Sequence, residues 1–312
     1  MITLDDIYQA QGRIAPFVRR TPLVPADALS APLGEAELWL KLECLQATGS
    51  FKARGATNKL LATPPDEMAR GVTTASGGNH GLAVARAAKL AGVPATIFVP
   101  ANVAPAKIDK LRKWGATVEV VGSIWNETNL SALAFARDRG CAYFHPFADP
   151  YVVAGQGTLA LEILDQKPDL DAILIAIGGG GLITGMAVAL KALKPSVRII
   201  GIEPVGAPTF HASLAAGHVV RLDSVTTRVA TMACAETDAD VFATSRNLID
   251  EVVLIEDDDM LDAARWLWFE MGLAADLSGA AAVAALRKGR LAFSAGQKIC
   301  ALVCGAGPEG LA

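Results

Sequence analysis

What these 312 residues lack narrows the function before any motif is read. The five cysteines (Cys44, Cys141, Cys234, Cys300 and Cys304) are an odd number and include no C-x-x-C pair. That speaks against zinc ligation and against a disulfide framework. No block of lysine or arginine stands out, and 28 basic against 32 acidic residues leave a net charge of −4. The basic stripe of a nucleic-acid surface is therefore missing. No apolar run reaches the ~18 residues that a membrane span needs. The amino terminus has neither the basic start nor the apolar stretch of a secretion signal. Thr3-Leu4-Asp5-Asp6 reads instead as a helix N-cap with acid in the first turn. A cytoplasmic protein is expected. Neither a G-x-x-x-x-G-K-[ST] phosphate loop nor a G-x-S-x-G nucleophile elbow occurs.

What remains is a globular composition, 52% hydrophobic and 19% charged, long enough for about two domains. Short apolar runs alternate with longer amphipathic stretches. Strands are predicted at 38–42, 71–75, 95–99, 117–121, 173–177, 197–202, 252–255 and 299–303. Helices are predicted at 79–91, 104–114, 125–139, 157–164, 182–193 and 259–271. Continuous β-branched strands separated by helices indicate an α/β fold: two open, twisted, parallel-type sheets with flanking helices. The stretch 71–121, three strands with two crossover helices, reads as the heart of a small inserted α/β domain over 66–145. A larger domain is then built from 1–65 and 146–312.

Ligands in open α/β sheets bind where strand ends lead into helix N-termini, and three such loops have unusual composition. Gly178-Gly179-Gly180-Gly181 follows a strand and opens a helix. Four glycines weaken ordered structure by about 2–4 kcal/mol in total, whereas each hydrogen bond from their amides to a charged group contributes about 1.5–3. An anion nest for a phosphate offsets the loss; close strand–helix packing is the alternative. A dinucleotide is disfavoured although Glu203 ends the next strand, because G-x-G-x-x-G spacing requires glycine where Ile183 stands.

Ser76-Gly77-Gly78-Asn79-His80-Gly81 offers amides, a hydroxyl and a carboxamide at a second helix start, suited to a carboxylate or to a hydroxyl-type oxygen. The His80 imidazole, taken alone, is more often structural than catalytic. In the third loop, Thr48 to Ala56, Lys52 follows Phe51 at a helix start. A lysine desolvated by a ring near a helix N-terminus has a lowered pKa, which is how amine nucleophiles are made. One reactive amine, one phosphate cradle and one carboxylate cradle match a pyridoxal phosphate Schiff base with an amino-acid substrate.

Ser50-Phe51-Lys52-x-Arg54-Gly55-Ala56, the 76–81 loop, Ala154-Gly155-Gln156-Gly157-Thr158 and the tetraglycine fall in an order that resembles the fold-type II pyridoxal-phosphate enzymes. Within them the likeness is to the serine/threonine dehydratase and serine racemase group, from about residue 4 to 305. The resemblance implies that Lys52 holds the cofactor covalently and removes the Cα proton, and that Phe51 lies against the ring. It implies that Gly178, Gly179, Gly180 and Gly181 hold the phosphate, that Asn79 meets the ring hydroxyl, and that Cys304 faces the pyridine nitrogen. Ser76, Gly77, Asn79 and the amides around His80 are implied to hold the substrate carboxylate. A neutral thiol at the ring nitrogen favours β-elimination, in which threonine, serine or 3-hydroxyaspartate loses water and ammonia. A homodimer is implied as well.

Departures from the pattern refine this. Racemases of the group carry a second serine where this chain has Gly77, and racemisation needs a proton donor on the other face; racemase and β-replacement chemistry are the alternatives. Of a racemase-like divalent-cation (Mg) site, Glu203 and Ala207 match two ligands, but Thr209 replaces the third, an Asp. The family's Glu-Pro-Ser/Thr reads Asp276-Leu277-Ser278, and its Ala-Asp-Gly reads Ala230-Thr231-Met232. Both are expected near the substrate side chain. The short stretch beyond 305 points away from an allosteric biosynthetic member. A non-catalytic binding module or a nucleotide-dependent oxidoreductase would give a protein without the cofactor's colour.

Overall fold

A computed structural model describes residues 2–27, 29–123 and 125–311. In chain order the described elements are α1 (Leu4–Ile14), β1 (Leu23–Pro25), β2 (Glu37–Leu42), α2 (Lys52–Ala62), α3 (Pro65–Met68), β3 (Val72–Ala75), α4 (Asn79–Ala91) and β4 (Ala95–Val99). Next come α5 (Pro105–Lys113), β5 (Thr117–Val120), α6 (Trp125–Arg139), β6 (Ala142–Tyr143), α7 (Pro150–Gln166), β7 (Ala172–Ala176) and α8 (Gly181–Leu193). The chain ends through β8 (Arg198–Pro204), α9 (Thr209–Ala216), α10 (Ala239–Ser245), β9 (Glu251–Ile255), α11 (Asp257–Met271), α12 (Leu277–Arg287) and β10 (Lys298–Val303).

Two sheets result. The larger has strand order β1-β2-β10-β7-β8-β9 and the smaller β5-β4-β3-β6. Every pairing is parallel except β1 with β2, so the larger sheet is mixed, with an antiparallel edge. All eight expected strands form. β1 and β6 are additions, and β6 gives the small sheet a fourth strand beyond the three read at 71–121. Every residue of β7 (Ala-Ile-Leu-Ile-Ala) is buried, as a central strand covered on both faces must be. The helix expected at 157–164 begins earlier: Asp149 caps it by accepting from the Tyr151 and Val152 amides, with Pro150 at the first helical position. The amino-terminal cap forms as expected, with Asp6 N–H donating to Thr3 Oγ1 and Thr3 N–H to the Asp6 carboxylate.

This topology places the three unusual loops. β2, β10 and β7 are parallel neighbours, in register Leu42 with Val303 and Ala301 with Leu174. Their carboxyl ends therefore share one sheet edge. The chain leaves that edge towards Lys52 from β2, to Cys304 from β10, and into the tetraglycine from β7. In the small sheet, β3 ends just before Ser76 and β6 just before His145.

Candidate active site

Lys52 is the first residue of α2, and its start is tied to the neighbouring strand end. Phe51 N–H donates to the Cys304 carbonyl at 3.2 Å, and Ser50 bridges Gly305. The Lys52 amine donates to the Pro146 carbonyl at 2.6 Å and lies 5.1 Å from the centroid of the Phe51 ring. Burial lowers this amine from its ordinary 10.5 to about 8.

Behind Lys52, Arg54 enters a buried ionic cluster. Its guanidinium donates to both Glu43 oxygens at 2.8 Å and to Glu162 at 2.9 Å. Lys41, fully buried on β2, completes the cluster by donating to Glu162 at 2.6 Å. Two acids and two bases thus fix the helix that presents the amine. Gly55 and Gly155 make the remaining contact possible: a Cβ at 155 would sit 2.7 Å from the Gly55 Cα. The Ala154–Thr158 segment is therefore helix-packing material, closing α7 against α2.

At the tetraglycine every position excludes a side chain. A Cβ at Gly178 would meet the Thr231 carbonyl at 2.8 Å, at Gly179 the Phe147 ring at 2.3 Å, and at Gly181 the Phe147 carbonyl at 2.5 Å. Gly180 has φ +91°, a conformation that favours glycine. None of the four amides donates to another described residue. They stand at the N-terminus of α8, where orphan donors and the helix dipole favour an anion.

The 76–81 loop is a second such terminus. The amides of Gly77, Asn79, His80 and Gly81 find no partner among the described residues, and Gly78 N–H turns back onto Ser76 Oγ at 3.3 Å. His80 is buried, with Nε2 3.1 Å from the Phe144 carbonyl. Burial, then the nearby Lys52, push its imidazole down to about 3, so it stays neutral. Asn79 Nδ2 donates to Asp276 Oδ2 at 3.0 Å. Cys304, its thiol pushed up by burial, lies 3.8 Å from Ser278 Oγ.

Residues 14–305 match the family described as pyridoxal-phosphate dependent enzyme. This chain belongs to that family. A related L-threonine ammonia-lyase of Geobacter sulfurreducens is 40% identical over 296 residues, spanning 95% of this chain and 73% of that protein. Among solved structures, maize serine racemase superposes with a TM-score of 0.93 at 35% identity, covering 97% of this chain and 93% of its own. A threonine deaminase from T.th. gives 0.89 at 35% identity, covering 98% of each chain.

For a pyridoxal-phosphate dependent enzyme the donor set fits the cofactor: an amine of lowered pKa, glycine amides at a helix N-terminus that have no partner among the described residues, and a carboxamide and thiol in reach of the same edge. Glu203 caps the start of α9. Both its oxygens accept amides at 2.8 Å, from Phe210 and His211, and Thr209 Oγ1 donates to the Cys234 carbonyl. Ala207 is buried beside it. Among the described residues no cluster of three or more His, Cys, Asp or Glu side chains is placed to ligate a metal.

Sequence reasoning gave no site role to Val103, nor to Pro146 and Phe147, although the 145–150 stretch resembles the dehydratase form. It noted Asp276 and Ser278 as departures, expecting them near the substrate side chain. The structure sets Asp276 against Asn79 and Ser278 against Cys304. Val103 carried no signal in the sequence.

Proposed function

We propose that this pyridoxal-phosphate enzyme is an ammonia-lyase that eliminates water from a small β-hydroxy amino acid, such as threonine, serine or 3-hydroxyaspartate; the released product takes up water again as an imine, giving ammonia and a 2-oxo acid. The observation that carries this reading is the Lys52 amine, lowered to about 8 and sharing a sheet edge with unpartnered glycine amides. Pyridoxal phosphate, when bound, supplies an aldehyde for covalent attachment and a ring that draws electrons from the substrate Cα.

Each residue then has a task. The amides of Gly178, Gly179, Gly180 and Gly181 hold the phosphate at the α8 N-terminus. Phe51 covers the ring and keeps water from the amine. Asn79 meets the ring hydroxyl oxygen. Ser76 Oγ and the amides of Gly77, Asn79 and His80 hold the substrate carboxylate, which turns the Cα–H bond towards Lys52. Once released, Lys52 Nζ takes the Cα proton. Burial lowers this amine to about 8, which raises the share that is neutral, and so able to accept a proton, near pH 7. Burial keeps the Cys304 thiol protonated, so facing the ring nitrogen it would offer no negative charge to hold a proton there. That favours expulsion of the β-hydroxyl over prolonged storage of charge.

Racemisation requires a second donor opposite Lys52. Gly77 offers none, and a Cβ there would stand 2.7 and 2.9 Å from the two Val103 methyls. The same reading carries a homodimer in the cytoplasm; the five free thiols accord with a reducing compartment.

The purified protein should be yellow, and its visible absorbance should change when a substrate is added. Lys52→Ala should lose 2-oxo acid and ammonia release. Retained turnover would refute the assignment.

A further inference from the structure

Asp276 is the N-cap of α12, and its two oxygens face in different directions. Oδ1 accepts from Ser278 Oγ at 2.7 Å and from Gly279 N–H at 2.6 Å. Oδ2 accepts from Asn79 Nδ2 at 3.0 Å. The residue is 7% exposed, and its own N–H donates to the Gly305 carbonyl at 3.0 Å. A cap needs only the first oxygen. The second reaches across to a helix that follows the small sheet.

Three glycines make room for this carboxylate. A Cβ at Gly305 would stand 2.5 Å from Asp276 Oδ2 and 3.1 Å from Asn79 Nδ2. One at Gly307 would meet the Asp276 Cβ at 2.7 Å, and one at Gly279 the Gly305 carbonyl at 2.4 Å. The Asn79–Asp276 pair thus lies on the backbone directly after Cys304, and Ser278 joins the same carboxylate to the Cys304 thiol.

An amide side chain can be turned over with little change of shape, exchanging its oxygen for its nitrogen. A carboxylate accepts and does not donate, so Asp276 Oδ2 holds Asn79 with its nitrogen on one side. We infer that Asp276 is the positioning residue of the cofactor's hydroxyl edge, locking the Asn79 amide so that its remaining N–H points to the ring oxygen. This rests on the proposed function, in which Asn79 meets that oxygen. The consequence is electronic: a donor held there stabilises the oxygen without its proton, whereas a turned amide would set a lone pair against it.

The test uses the full-length protein loaded with pyridoxal phosphate, read by its visible band and by cofactor affinity from equilibrium dialysis. In Asp276→Asn one oxygen becomes a donor, so Asn79 must turn to meet it. The visible band should shift and cofactor affinity should fall about tenfold, the effect of one charge-assisted hydrogen bond. Asp276→Glu, which keeps the acceptor, should retain the wild-type band. Gly305→Ala, which presses on the pair without replacing either partner, should reproduce the shifted band, and it serves if Asp276→Asn does not fold. An unchanged band and affinity in either disrupting variant would overturn the inference while leaving the lyase reading intact. A wild-type protein that takes up no pyridoxal phosphate would overturn both.

Discussion

Position 77 allows the steric argument against racemisation to be tested quantitatively. Serine there would bring its Cβ to 2.7 and 2.9 Å from the Val103 methyls, where ordinary contact begins at 3.4 Å. The neighbour must therefore give by 3.4 − 2.7 = 0.7 Å and 3.4 − 2.9 = 0.5 Å. Its branched Cβ restricts the rotamers by which valine could turn its methyls away. Overpacking of this kind costs about 1–3 kcal/mol, which lowers the melting temperature by roughly 2–6 °C. Val103→Ala removes both offending methyls. In a double-mutant cycle the two substitutions should couple favourably by about 1–2 kcal/mol. Chirality of the residual serine, followed by chromatography, gives the chemical readout. Gly77→Ser alone should yield little inverted product, and Gly77→Ser with Val103→Ala should yield clearly more. Equal melting temperatures for Gly77→Ser and wild type, or equal inversion by the single and double variants, would show that Val103 does not control this face.

Two further outcomes follow from the buried charges. In the cofactor-free protein Lys52 has a folded value of about 8, below the ordinary 10.5. Between these pH values the unfolded chain binds the extra proton, so this group makes stability rise with pH and its burden is greatest at and below pH 8. Lys52→Met should therefore stabilise the cofactor-free protein fully at and below pH 8, with an advantage that shrinks towards pH 10.5 in pH-dependent thermal melts. A constant difference would contradict it. Arg54→Leu would leave Glu43 and Glu162 buried with only Lys41 as a cation, and should destabilise by about 3–5 kcal/mol in urea titrations.

Much of this architecture was legible because its elements are long or strongly patterned. The Ala95–Val99 strand and the Asn79–Ala91 and Trp125–Arg139 helices coincide with the periodicity read from sequence. β1 and β6 span three and two residues, too few for a period, and they exist only because a neighbouring strand offers them pairing. The start of α7 was signalled by Asp149-Pro150, but the pattern of apolar residues pointed further along. At the site, Lys52, Asn79 and the tetraglycine could be picked out because each breaks a local rule: a cation at a helix start, polar groups in a glycine loop, four glycines in a row. Asp276 breaks none, since an aspartate before a helix is an ordinary cap. Its second hydrogen bond, to Asn79, joins residues 197 positions apart, and no local pattern carries that information.

The order of strands in the larger sheet has a consequence for how the molecule is made. β10, the last of these strands to be synthesised, lies in the interior of the sheet, hydrogen-bonded to β2 on one side and to β7 on the other. Until residues 298–303 leave the ribosome, β2 and β7 lack the strand that joins them in the finished sheet, a gap in its order. Lys52 and Cys304 become neighbours only when that gap closes, so cofactor capture waits for it. Exposed edges on β2 and β7 in the meantime are the stage at which this protein is most open to pairing with the wrong partner.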